Sequence, residues 1–166
     1  SWLLHVARET PATTHSPEPS PCKVLDASNS GMKLAWQGGG AGDARVGDLL
    51  GILEAEGGQQ SLRLALIRSI RVYREGGMEV GVQLMHGGLG AVTCCVPDEP
   101  DMERARALFM SASEAEQCAA TLITAKGLYT EGRRLLVDVD GREIRVSAGC
   151  RVFDSPVIDR FEFAAE

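Results

Sequence analysis

The sequence predicts an all-β chain, an antiparallel barrel or sandwich in two units, and three observations lead there. Short runs rich in Leu, Ile and Val recur at regular spacing through residues 1–96 without a 3.6-residue period. Glycine pairs or triplets at 38–40, 57–58, 76–77 and 87–88 punctuate those runs, as turns between strands do. A proline- and acid-rich stretch, "VPDEPD" at 96–101, then separates them from a second series of similar runs.

The elements follow in order. "SWLLHVARE" reads as a first strand, and "TPATTHSPEPSP" at 10–21, with four of the seven prolines, as a long extended loop after it. "PCKVLDAS" and "GMKLAWQ" alternate apolar and polar residues on either side of the turn "DASNSG", residues 26–31. "VGDLLGILE", "SLRLALIRSIRVY", "MEVGVQLM" and "GAVTCCV" complete the first unit, expected to span 1–96. In the second, expected over 97–166, "DMERARALFM" reads as a short helix or turn running into a strand at 106–110. "AATLIT", "RRLLVDV", "REIRVSA" and "VIDRFEF" read as further strands, with Asp140-Gly141 marking a type I′ hairpin. The two halves share an order of glycine, strand, hairpin, strand, loop and short closing strand, in which Thr124 and Gly127 take the places of Ser28 and Gly31. An internal repeat and the general likeness of antiparallel meanders account for this equally well.

Composition bounds the function. A chain of 166 residues can bury a core without staples, and a net charge of −6 excludes a sequence-independent grip on nucleic acid, which needs a basic surface to displace counterions. Five cysteines, odd in number and never spaced C-x-x-C, suggest neither a disulfide framework nor a zinc knuckle and fit the reducing cytoplasm. No apolar run reaches the ~18 residues of a membrane span. His5, His15 and His86 are scattered, so neither a metal triad nor a His–Cys catalytic pair is indicated; the expectation is no enzyme, no metal and no cofactor. Adjacent Cys94 and Cys95 should face opposite sides of a strand as structural thiols, and Trp2 and Trp36 should pack in the core or at an edge.

Asp26-x-Ser28-x-x-Gly31 has a structural explanation: Asp and Ser side chains bond nearby backbone N–H groups, and Gly supplies a positive φ. In its setting, between strands and ahead of Gly47-Asp48 and "GVQL" at 81–84, residues 1–96 resemble the PilZ domain, a family of bacterial cyclic di-GMP receptors. The resemblance implies a six-stranded antiparallel barrel, here followed by a smaller β-barrel-like unit. It implies that Asp26, Ser28 and Gly31 are the guanine-facing half of a nucleotide site, since a carboxylate and a hydroxyl accept from a guanine edge and a glycine admits backbone. The family's other motif, R-x-x-x-R, supplies guanidinium forks for phosphate. Arg8 is the one arginine ahead of Asp26, and Ala12 stands where its partner would be. Arg68 is the candidate substitute, with Arg71 expected on the opposite face of a regular strand. The chain is therefore expected to be a degenerate PilZ-like signalling module that does not hold cyclic di-GMP and acts through another protein or the rest of a longer chain. The alternative is a cyclic di-GMP receptor whose arginine motif lies upstream of Ser1.

Overall fold

Alternation of buried and exposed side chains dictates the architecture. In "GMKLAW" residues Met32, Leu34 and Trp36 are buried while Lys33 is exposed, and in "MEVGVQL" Met78, Val80, Val82 and Leu84 are buried. Such strands bury one face, and curling the sheet until it closes removes its edges. The computed structural model describes residues 2–6, 20–36, 44–56, 59–74, 76–97 and 104–166, with only the backbone path given for 2–6, 55–56 and 59–60. All regular elements among the described residues are strands, and no described helix could cross a membrane.

The first barrel comprises β1 (Trp2–Val6), β2 (Ser20–Ala27), β3 (Gly31–Trp36), β4 (Leu49–Glu56), β5 (Gln59–Val72) and β6 (Met78–Leu84), closed in the order β1-β2-β3-β6-β5-β4. Its core gathers Met32, Leu34, Trp36, Leu50, Ile52, Ile67 and Val80; Trp36 is 1% exposed and so is a core residue. The side chain of Trp2 and the histidines His5 and His15 lie outside the described residues, as does most of the proline-rich loop. That loop ends sooner than expected: β2 starts at Ser20, with Pro21 at its beginning, where no interior ladder bond is lost.

The second barrel comprises β7 (Leu89–Cys95), β8 (Ala105–Met110), β9 (Thr121–Ala125), β10 (Arg134–Val139), β11 (Arg142–Asp154) and β12 (Ile158–Ala165). It closes as β7-β8-β9-β12-β11-β10, the strand order of the first barrel repeated. Val92, Cys94, Leu122, Leu135, Val137, Val146 and Phe161 fill it. Asp140 (φ 52°) and Gly141 (φ 83°) both take positive φ, as a two-residue I′ hairpin requires. Cys94 is buried and Cys95 half-buried, as alternation along β7 predicts.

Two expectations are corrected here. The chain divides between Met85 and His86, not at 96/97, because "GAVTCCV" forms β7, whose partners are β8 and β10. The strand expected at 106–110 is found as Ala105–Met110, held between β7 and β9, while residues 101–103, the place of the expected short helix or turn, lie outside the described ones. "ITAKGL" is not the counterpart of "ASNSGM". The latter enters β3 and the former leaves β9, so the topological equivalent of the β2–β3 turn is residues 111–120.

Candidate functional site

The turn "DASNSG" is built largely by its own side chains. The Ser28 N–H donates to the Gly31 carbonyl at 2.8 Å, and the Ser28 hydroxyl both accepts from the Gly31 N–H and reaches the Gly31 carbonyl, each at 3.2 Å. Asp26 Oδ1 accepts the Ala27 N–H at 2.9 Å, and the Ser30 carbonyl accepts the Leu84 N–H at 2.9 Å, tying the turn to β6. Asp26 thus lies on β2 and only Ser28–Ser30 form the turn proper.

Gly31 does not have the expected positive φ; it sits within β3 in an ordinary backbone conformation. A glycine is required for another reason. A Cβ at this position would lie 2.7 Å from the Val82 carbonyl oxygen, closer than real Cβ atoms approach backbone. The demand for glycine is legible in the motif, but its cause is the approach of β6.

Two bulges aim the site. On β2, Val24 pairs with Leu34 and Asp26 with Lys33, which leaves Leu25 as the extra residue. The slip turns Asp26 from the inward register of Val24 to the outer face it shares with Lys33. On β5, Ile67 pairs with Val82 and Ser69 with Gly81, and the extra residue is Arg68. The outer face therefore carries a row from Asp26 through Lys33 and Gly81 to Ser69, crossing β2, β3, β6 and β5. Asp26, Ser28, Gly31 and Arg68, the four residues singled out from the sequence, all line one open hollow of about 290 Å³ over this row, with Lys33 and Ser69.

One expectation about charge changes accordingly. Arg68 and Arg71 are not divided between the two faces. The bulge breaks the alternation, Arg68 lines the hollow, and Arg71 pairs across to Glu79 on the exposed side of the same barrel. Asp26 also has a basic neighbour, Lys33, its partner across the ladder. Lys33 and Ser69 were missed as candidates. Outward placement of Lys33 is readable from the alternation of "GMKLAW", but its convergence with Asp26 depends on the bulge at Leu25. Gly47-Asp48 belongs to a turn away from the hollow's lining: Gly47 has φ 96°, and Asp48 Oδ2 accepts the Arg45 N–H at 2.8 Å.

The second barrel treats the corresponding face differently. The inward pair Met32↔Val82 corresponds to Leu122↔Phe161, so Lys33↔Gly81 corresponds to Ile123↔Arg160. Where the first barrel has a bare glycine, the second has an arginine, 4% exposed, roofed by the β8–β9 connection. Arg160 donates from Nη1 to Glu116 Oε2 at 2.7 Å and from Nε to Thr121 Oγ1 at 3.0 Å. Its Nη2 lies 3.5 Å from the Cys118 sulfur. Glu116 Oε1 also accepts the His86 N–H at 2.7 Å. Burial pushes the Glu116 carboxyl up, but the His86 N–H and the Arg160 guanidinium outweigh it and hold the group below its ordinary value. The face is filled from within.

No group of three or more His, Cys, Asp and Glu among the described residues is placed to hold a metal ion. A closed six-stranded barrel with D-x-S-x-x-G between its second and third strands defines a PilZ-type domain, here followed by a second barrel of the same strand order. Residues 5–87 match the family described as "Cyclic-di-GMP receptor FimW, middle PilZ domain", and residues 94–165 match "FimW C-terminal beta-barrel domain". The chain belongs to the FimW family, joining its middle PilZ domain to its C-terminal barrel. It is 26% identical over 144 residues to the cyclic-di-GMP receptor FimW of Pseudomonas aeruginosa, an overlap covering 84% of this chain and 23% of that protein. The chain thus spans less than a quarter of the length of this curated relative. No solved structure matches it.

Proposed function

We propose that the hollow over β2, β3, β6 and β5 is one side of a cyclic di-GMP site, and that the chain is the sensing segment of a signalling receptor and not an enzyme. What supports this most is convergence: Asp26, Ser28 and Gly31, taken from one motif, and Arg68, taken separately as a substitute cation, line one concavity in a PilZ-family barrel. The chemistry suits a guanine dinucleotide. Asp26 is an exposed acceptor for the N–H donors of a guanine edge, and Arg68 offers a planar fork for the N7/O6 edge or a phosphate. Ser28 acts chiefly by holding the turn.

The arginine pair of the family is not among the described residues, and each missing charge-assisted bond weakens binding by about 1.5–3 kcal/mol. Loss of two such bonds carries a micromolar site to roughly millimolar. Isothermal titration of this chain is therefore expected to show no saturation at ligand concentrations of tens of micromolar. An amide-shift titration carried to about 5 mM is expected to move residues 26–31, 68–69 and 81 together, and Asp26→Ala to flatten the response. Fusing an R-x-x-x-R segment ahead of the barrel should return micromolar binding.

A second reading, a protein-interaction module that has lost the ligand, draws support from Ala12 standing where an arginine partner of Arg8 would be. Absence of any shift around the hollow, with and without the added arginines, would favour it over the first.

A further inference from the structure

The hollow contains a second cation that no motif accounts for. Lys33 pairs in register with Gly81 on one side and Asp26 on the other, at the middle of the row. Beside it Gly81 carries no side chain, and the Ser69 hydroxyl occupies the place a Cβ would take. The Lys33 ammonium points along the sheet toward Glu79, with Nζ 3.6 Å from Oε1.

Glu79 is well supplied without it. The Tyr73 hydroxyl donates to Glu79 Oε2 at 2.7 Å, and Arg71 stands opposite in register. The Tyr73 bond is the largest influence holding the Glu79 carboxyl below its ordinary value, ahead of Lys33 and Arg71. Lys33 itself is half-exposed, at 51%, and a long surface ion pair of this kind holds its partners weakly. An ammonium on a flexible four-carbon stem can change partners at little cost.

We propose that Lys33 is a phosphate-binding residue of the hollow, parked on Glu79 while the site is empty and transferred to a phosphodiester oxygen when ligand enters, so that Glu79 sets affinity by competing for it. This rests on the reading of the hollow as a cyclic di-GMP site. The transfer is an exchange of ionic partners, with no bond made or broken beyond the hydrogen bonds. Glu79 keeps Tyr73 and Arg71, and Lys33 exchanges a carboxylate for a phosphate.

The test is a double-mutant cycle on the 166-residue chain, read as the initial slope of the residue 26–31 amide shifts against added cyclic di-GMP. Lys33→Ala is expected to lower the slope about fivefold, and Lys33→Arg to preserve most of it. Glu79→Gln, which keeps an acceptor for Tyr73, is expected to raise the slope about threefold in the wild-type background and to change nothing in the Lys33→Ala background. Thermal melting followed by Trp36 fluorescence confirms that the barrel stays folded in each variant. An unchanged slope in Lys33→Ala overturns the proposal, as does an equal gain from Glu79→Gln with and without Lys33, since Glu79 would then act through the general field. A flat wild-type titration removes the cyclic di-GMP reading itself, a failure distinct from either of these.

Discussion

Glu116→Ala destabilises the second barrel by about 3 kcal/mol, because it strands a buried guanidinium. Arg160 is 4% exposed and its charge is balanced by Glu116 at 2.7 Å, whereas the remaining partners, Thr121 and Cys118, are neutral acceptors. Removing one member of a buried pair leaves the other uncompensated, and that penalty, not the worth of the pair, is what the variant reports. Arg160→Met should therefore cost less. A methionine can fill much of the arginine's volume, and Glu116, more exposed, keeps the His86 N–H. Urea unfolding followed by circular dichroism, comparing the two midpoints, checks the order. Acid reproduces the first variant gradually. The folded Glu116 carboxyl titrates below its unfolded value, so its contribution is complete above about pH 4.3 and is lost as the pH falls through the lowered folded value. Melting temperatures should thus decline below about pH 4 in the wild type and show a shallower acid slope in Glu116→Ala. Equal midpoints for the two variants would mean that the burial of Arg160 carries no charge penalty.

Gly31→Val unfolds or loosens the first barrel, at a cost of about 2–3 kcal/mol, through collision and not through backbone strain. The added Cβ meets the Val82 carbonyl at 2.7 Å, and that oxygen belongs to the ladder between β3 and β6, so relief requires the two strands to part. Gly31→Ala brings the same Cβ and should cost nearly as much. That near-equality separates collision from rotamer effects confined to a β-branched side chain. Trp36, 1% exposed at the far end of β3, reports the transition by fluorescence. Substitution at Gly141, whose φ is 83° and whose Cβ would meet nothing within 4 Å, should be governed by conformation alone and makes the contrasting control.

The fold was legible because its signals are local. Alternation in "GMKLAW" and "MEVGVQL" names the inward residues, glycines mark the turns, and Asp140-Gly141 specifies its hairpin. Where one barrel ends and the next begins was not local. "GAVTCCV" reads equally well as the last strand of the first barrel or the first strand of the second, and only its pairing with β8 and β10 assigns it. The candidate site was legible as a list, Asp26, Ser28, Gly31 and Arg68, but not as a surface. Its geometry depends on extra residues at Leu25 and Arg68, and a bulge leaves no mark in a pattern of apolar and polar letters. Reading β2 and β5 as regular strands sends Arg68 and Arg71 to opposite sides and hides Lys33 from Asp26. One inserted residue on each strand reverses both conclusions.

The bulge on β5 has a twin. In the second barrel Arg151 pairs with Phe161 and Phe153 with Arg160, which leaves Val152 as the extra residue at the position Arg68 holds in the first. Backbone irregularity at this point accompanies the strand order whether the projecting side chain is a guanidinium or an isopropyl group. Shape and recognition are therefore separable on this scaffold. The kink serves the curvature of a long strand wrapping a small closed sheet, and the residue displayed on it is a passenger whose identity can drift without disturbing closure. A barrel of this order can fall silent as a sensor while remaining intact as a building block, because the residue on the kink, unlike Gly31, stands outside the register that holds the strands together.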